Sequence, residues 1–205
     1  MRPFHAVTVA QVVVLAGCTP AAPVPSPTPT SAAPKPTPMP TPTPTVAVAP
    51  LTIPACDVLL PIATARDLFS DSTELLAENP ASEFSGRLMV PSITTVLSTA
   101  SPTRSCFWGI PSSDGLFQVV VAGITTAQVA TLQGELAAAG YAQTTTGTVT
   151  AFELEGMNEV GSVGTTHLFT GTTWILVDGS SSSFSGAVAG QVLDALRTAN
   201  PTLGL

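Results

Sequence analysis

The residues able to do chemistry are few in this 205-residue chain, and they lie far apart. Beyond Cys56 the sole histidine is His167, inside Thr165-Thr166-His167-Leu168-Phe169. A histidine base needs a nucleophile and an orienting group at hand. No such partner can be nominated, so His167 reads as an exposed or satisfied strand residue. Glu153, Glu155 and Glu159 cluster in sequence. Glu153 and Glu155 fall on one strand face, opposite Phe152 and Leu154. Paired carboxylates can hold Ca²⁺ or exchange protons, but a calcium loop needs a denser run of oxygen ligands. These acids therefore read as a solvated face. Asp178-Gly179 and Ser180–Ser183 precede a helix, whose open N–H groups could cradle an anion. With no Lys or Arg nearby, N-capping is the simpler reading. No phosphate loop, Gly-x-Ser-x-Gly elbow or His–Cys zinc cluster occurs. The expectation is no catalytic residue, no metal ligand and no cofactor, with ligand-binding residues unassigned.

The three cysteines divide into one and two. Met1–His5 carry Arg2, Ala6–Val14 form a brief apolar run, and Leu15-Ala16-Gly17-Cys18 follow. A run this short cannot cross about 30 Å of hydrocarbon as a helix. Leu15 to Cys18 resemble the lipobox of bacterial lipoproteins. The resemblance implies a signal peptide over 1–17 and a diacylglyceryl group on the Cys18 thiol. It places the mature protein outside the cytoplasmic membrane, anchored to its outer face. Two acyl chains hold firmly where one holds only marginally.

Residues 18–54 are the lipidated cysteine and a stalk. Thirteen of the 20 prolines fall between Thr19 and Pro54. Such a segment buries little apolar surface and is expected to be disordered. At about 3.1 Å per residue in polyproline II its reach is roughly 110 Å, and nearer 35 Å as a flexible coil. Its threonines could carry O-linked sugars, but a plain spacer is the simpler reading.

Residues 55–205 suit one domain with one core. All 13 acidic residues lie here against four arginines, a net charge of −9. Nucleic acid is excluded as a partner, because phosphate contacts draw on clustered Lys and Arg. An anionic lipid surface repels such a domain as well. Cys56 and Cys106 remain as an even pair in an oxidising compartment and are expected to form a disulfide. No sequon is present, since Pro201 blocks Asn200-Pro201-Thr202.

Periodicity supplies the frame. Pro61–Phe69 reads as a short helix with Pro61 in its first position and Ile62, Ala65 and Phe69 on one face. Gly86–Arg104 is ambiguous. Ser105–Ile110 and Leu116–Gly123 read as a hairpin around Asp114-Gly115, with Phe117, Val119 and Val121 on one face. Thr125–Gly140 reads as a helix opened by a Thr125/Gln128 capping box and stopped by Gly140. Strands are expected at Ala142–Thr146, Thr148–Leu154, Val163–Phe169 and Thr173–Val177. A last helix, Phe184–Ala199, aligns Phe184, Val188, Val192 and Leu196. Gly186 and Gly190 suit close packing of that helix on a sheet, and Trp108 and Trp174 suit the core. Dominant hairpins predict an α+β fold, a mainly antiparallel sheet with two or three helices packed on it.

The Cys56-Asp57-Val58-Leu59-Leu60-Pro61 run entering a helix and the Cys106-Phe107-Trp108 strand complete a pattern. With the lipobox and stalk, it resembles actinobacterial lipoproteins of unknown function. Their domain is similar to the extracellular sensor domain of mycobacterial receptor kinases, which carries two disulfides around a cleft where this chain can form one. The resemblance carries over no catalytic residue. The expected function is a cell-surface lipoprotein binding a small-molecule, lipid or envelope-protein partner. The alternatives are an envelope hydrolase and a structural accessory subunit of an envelope complex.

Overall fold

The computed structural model describes residues 49–79, 84, 90–159 and 161–205. The expected signal peptide, Cys18 and most of the expected stalk lie outside the described residues. Five helices and one sheet make up the described chain: α1 (Cys56–Leu59), α2 (Ile62–Leu68), β1 (Glu74–Asn79), α3 (Ser92–Thr99), β2 (Thr103–Gly109), β3 (Leu116–Gly123), α4 (Thr126–Ala138), β4 (Ala142–Thr146), β5 (Val149–Met157), β6 (Ser162–Thr170), β7 (Thr173–Gly179) and α5 (Ser182–Ala199).

The seven strands run in the order β1-β2-β3-β7-β6-β5-β4, and every neighbouring pair is antiparallel. This is the α+β architecture that the hairpin-rich sequence predicts. Helices cover both faces. Alternation along each strand sends one set of side chains to each. Val119, Val121, Ile175 and Val177 meet Val188, Val192 and Leu196 of α5, together with Leu59, Leu60 and Ala65. Val120, Ala122, Trp174 and Leu176 meet Ile93, Val96 and Leu97 of α3 and Leu132 and Leu136 of α4.

Several local expectations hold. The Thr125–Gln128 box is present: Gln128 N–H donates to Thr125 Oγ1 at 3.2 Å, and Thr125 N–H donates to Gln128 Oε1 at 2.8 Å. Gly140 takes φ +86, the left-handed stop that a side chain resists. Phe117, Val119 and Val121 share the α5 face, and Trp108 and Trp174 are fully buried.

Others are corrected. The ambiguous Gly86–Arg104 stretch contains α3 at Ser92–Thr99, despite its β-branched residues. A carboxylate imported from α4 closes its first turn: Ser92 donates from N–H and Oγ to Glu135, at 3.0 and 2.6 Å. β1 is an edge strand with a bulge between Leu75 and Ala77 and shows no clean period of two. Pro61 is the N-cap of α2 rather than its first residue, and Ile62 stays exposed while Ala65 is buried. In the β2–β3 hairpin the positive φ belongs to Ser112, at 61, not to the Asp114-Gly115 step. The domain also begins before Ala55. Ile53 packs on the α5-side core, and Thr52 is clamped by Asn200, which accepts from its N–H and donates to its carbonyl, both at 2.8 Å.

Candidate functional site

His167 sits in the middle of β6, opposite Phe152 of β5 and Leu176 of β7. The strand's alternation turns it to the α4 side, between Tyr141, Phe169 and Trp174. Its ring lies nearly parallel to Trp174, with 5.9 Å between centroids, and edge-on to Tyr141 at 5.3 Å. Trp174 donates its Nε1–H to His167 Nδ1 at 3.2 Å. An indole can only donate, so Nδ1 is the bare nitrogen and the proton of the neutral ring resides on Nε2. Nε2 is buried without a hydrogen-bond partner among the described residues. Burial holds the imidazole far below its ordinary pKa, at about 3. The ring is thus neutral, sequenced into an aromatic stack and closed to solvent. It is not the exposed residue that one sequence reading allowed.

The acids follow the predicted strand face, with Glu155 exposed on it and Glu153 half-buried. Glu153 and Glu155 lie opposite Phe152, and both turn towards α5. Glu155 accepts from Ser182 Oγ at 2.7 Å and from Ser182 N–H at 3.1 Å. Those bonds, the hydroxyl's first, hold its carboxyl below the usual carboxylate range. Ser181 adds the N-cap, accepting from Phe184 N–H at 3.1 Å. The positive end of α5, which could have served an outside anion, is therefore filled by the chain's own carboxylate. Glu153 reaches Gly186, where an added Cβ would stand 2.8 Å from its Oε1. Gly190 has open space instead, so only one glycine of the pair meets the sheet. Glu159 is exposed and joins neither acid.

The strand β6 crosses under the start of α5 at Gly164. A Cβ there would fall 1.9 Å from the Ser181 carbonyl carbon. This contact requires glycine, and it seats Ser181 and Ser182 over Glu155. Beside it, Thr166 Oγ1 and the buried Ser185 Oγ are 2.7 Å apart.

The opposite face carries a buried polar row that composition could not reveal. Gln118 donates to Ser105 Oγ at 2.8 Å, and Thr165 donates to Asp178 Oδ1 at 2.8 Å. Tyr141 hydrogen-bonds with Thr165, while burial first and the Asp178 charge second push its phenol up to about 12. Pairing of β3 with β7 and of β7 with β6 brings Gln118, Asp178 and Thr165 into line. The signal in sequence was a polar residue at an inward position of an otherwise apolar strand.

Cys56 and Cys106 are bonded, with Cα atoms 5.7 Å apart, tying α1 to β2 beneath Trp108. Cys18 lies outside the described residues. Among these residues no group of three His, Cys, Asp or Glu side chains could hold a metal. No helix among them is long and apolar enough to cross a membrane.

The open surface has clefts at both ends of the strands. One of about 140 Å³ lies between the β2–β3 and β5–β6 turns and the start of α5, lined by Phe69, Asp114, Leu116, Asn158, Ser162 and Ser180. Two of about 370 Å³ each flank Ala49 and Leu51 at the other end, near Thr172. No protein-family model, curated protein or solved structure matches the chain at a significant level.

Proposed function

We propose that this protein is a cell-surface lipoprotein, anchored through Cys18, whose stalked domain binds a ligand or envelope partner and does not turn over a substrate. The observation that carries this reading is the opposition of the two sheet ends. The chain joins the domain at Thr52, held by Asn200. That end of the sheet holds Thr103, Gly123 and Thr173. The smallest cleft, beside Phe69 and Leu116, lies at the other end. Six to seven residues of strand at about 3.3 Å each separate them by roughly 20 Å. The cleft thus lies away from the point where the chain enters the domain.

Support also comes from what the reactive side chains already do. His167 is consumed by the Trp174 bond and its aromatic stack, and Glu155 by the cap of α5. The cleft beside Phe69 and Leu116 has these two as an apolar floor, with the Asp114 carboxylate and the hydroxyls of Ser162 and Ser180 around it. That lining suits a small amphipathic group with hydrogen-bond donors. The resemblance of the lipobox, stalk and Cys-x-Trp strand to actinobacterial lipoproteins, whose domain is similar to a receptor-kinase sensor domain, points the same way.

Two experiments test this. Cys18→Ser in the full-length chain should move the protein from the membrane fraction to the soluble extracytoplasmic fraction. Retention in the membrane would sink the anchor. A photo-crosslinking residue at Leu116 should yield a discrete envelope adduct that Asp114→Arg removes. Turnover of peptidoglycan, ester or phosphate substrates that is lost in His167→Ala or Glu153→Gln would overturn the binding reading.

A further inference from the structure

The sheet ends in two edge strands built on opposite lines. β1 carries Glu74 and Glu78, and its register slips between Leu75 and Ala77. Charges and bulges are devices that discourage a further strand. β4, Ala142-Gln143-Thr144-Thr145-Thr146, has neither charge nor proline, and its register with β5 is unbroken. All five of its residues are exposed. Its β-branched threonines favour the extended chain.

Backbone geometry says which groups this edge offers. β4 and β5 are joined by the two-residue loop Gly147-Thr148, with Gly147 at φ +59. In such a hairpin the flanking pair, here Thr146 and Val149, exchanges both backbone bonds. Alternation then aims the N–H and C=O of Ala142, Thr144 and Thr146 at β5. Those of Gln143 and Thr145 aim outward, symmetrically placed about Thr144.

We propose that β4 is a homotypic interface, pairing antiparallel with β4 of a second copy of this chain about a two-fold axis at Thr144. In this register Gln143 faces the partner's Thr145, Thr145 faces the partner's Gln143, and Thr144 faces its own copy. Both outward residues on each side find a hydrogen-bonding counterpart, so the edge is complementary to itself. Self-complementarity of the edge, not charge, selects the second copy. A domain carrying −9 repels its like over most of its surface, whereas neither β4 strand brings an acid to this contact. Threonines facing across an antiparallel pair are favourable. The contact is short, so association is weak in solution and is favoured by confinement on a membrane. The inference stands on the edge itself and holds whether or not Cys18 carries lipid.

The test uses the full-length chain in mild detergent. Sedimentation over a concentration series should show a dimer that Thr145→Lys abolishes, with circular dichroism and melting unchanged. Thr144→Cys places two thiols on a non-hydrogen-bonded pair, with Cα atoms about 4.5 Å apart, within disulfide reach. Under gentle oxidation it should form a cross-linked dimer, above the background of the unsubstituted chain, at least about ten-fold faster than Leu76→Cys on the guarded edge. Equal rates at the two edges, or a dimer indifferent to Thr145→Lys, would overturn the proposal. A Thr144→Cys adduct to a different protein in the intact envelope, in place of the dimer, would overturn it too.

Discussion

Trp174 donates its indole proton to Nδ1 of His167 across 3.2 Å, and the two rings lie within 6° of parallel. This one bond fixes the imidazole tautomer and leaves Nε2 as a buried donor without a partner among the described residues.

Acid should therefore weaken the fold through His167. Its pKa near 3 in the folded state lies below the ordinary 6.5, so between those values only the unfolded chain takes up the proton. The stability this group contributes is complete above about pH 6.5 and falls as pH drops towards 3, by at most about 1.4 kcal/mol per pH unit. Urea melts between pH 6.5 and 5, above the carboxylate range, should show this slope. His167→Phe should flatten it while lowering stability at pH 7 by about 1–3 kcal/mol, because the Trp174 N–H loses its acceptor.

Glu155→Gln should loosen the start of α5. The carboxyl's lowered pKa means that its contribution is present above the ordinary carboxylate value and is lost as pH falls through the folded-state value. Amide exchange at Ser182 should speed up in the variant at pH 7, and the difference from the parent should vanish in strong acid. An unchanged exchange rate at pH 7 would contradict the cap.

Two glycines should respond in opposite directions. Gly164→Ala drives a methyl into the Ser181 backbone, which cannot swing aside as a side chain can, and should cost about 3 kcal/mol or prevent folding. Gly190→Ala meets nothing within 4 Å and should gain up to about 1 kcal/mol from helix propensity. Thermal melts of the two variants decide both.

The disulfide closes a sequence separation of 50 residues. Replacing both partners, Cys56→Ala with Cys106→Ala, should cost roughly 4 kcal/mol by the loop-entropy relation. That is a large share of the 5–15 kcal/mol usual for a domain, so denaturant midpoints should fall steeply. A midpoint equal to the parent's would show that the bridge contributes little.

The sequence by itself determined the features whose cause is local. Short apolar runs rich in β-branched and aromatic residues mark Leu116–Gly123 and Thr173–Val177 as strands, buried on both faces. The Thr125/Gln128 pair and Gly140 bracket α4 because their bonds and dihedral lie within a few residues. The Cys56–Cys106 bridge followed from counting thiols, with export to an oxidising compartment as the expectation. What only the tertiary structure decided depends on neighbours distant in the chain. α3 is a helix of β-branched residues because Glu135, 43 residues on, caps it and because Ile93, Val96 and Leu97 meet the sheet. β1 escaped periodicity because an exposed, bulged edge needs no alternation. Glu155, an exposed acid, became a helix cap as well because β6 and β7 bring Ser182 to it over Gly164. His167 became a core residue because strand pairing set it beside Trp174. A side chain's type states what bonds it can make, and the packing of distant segments determines which of them it makes.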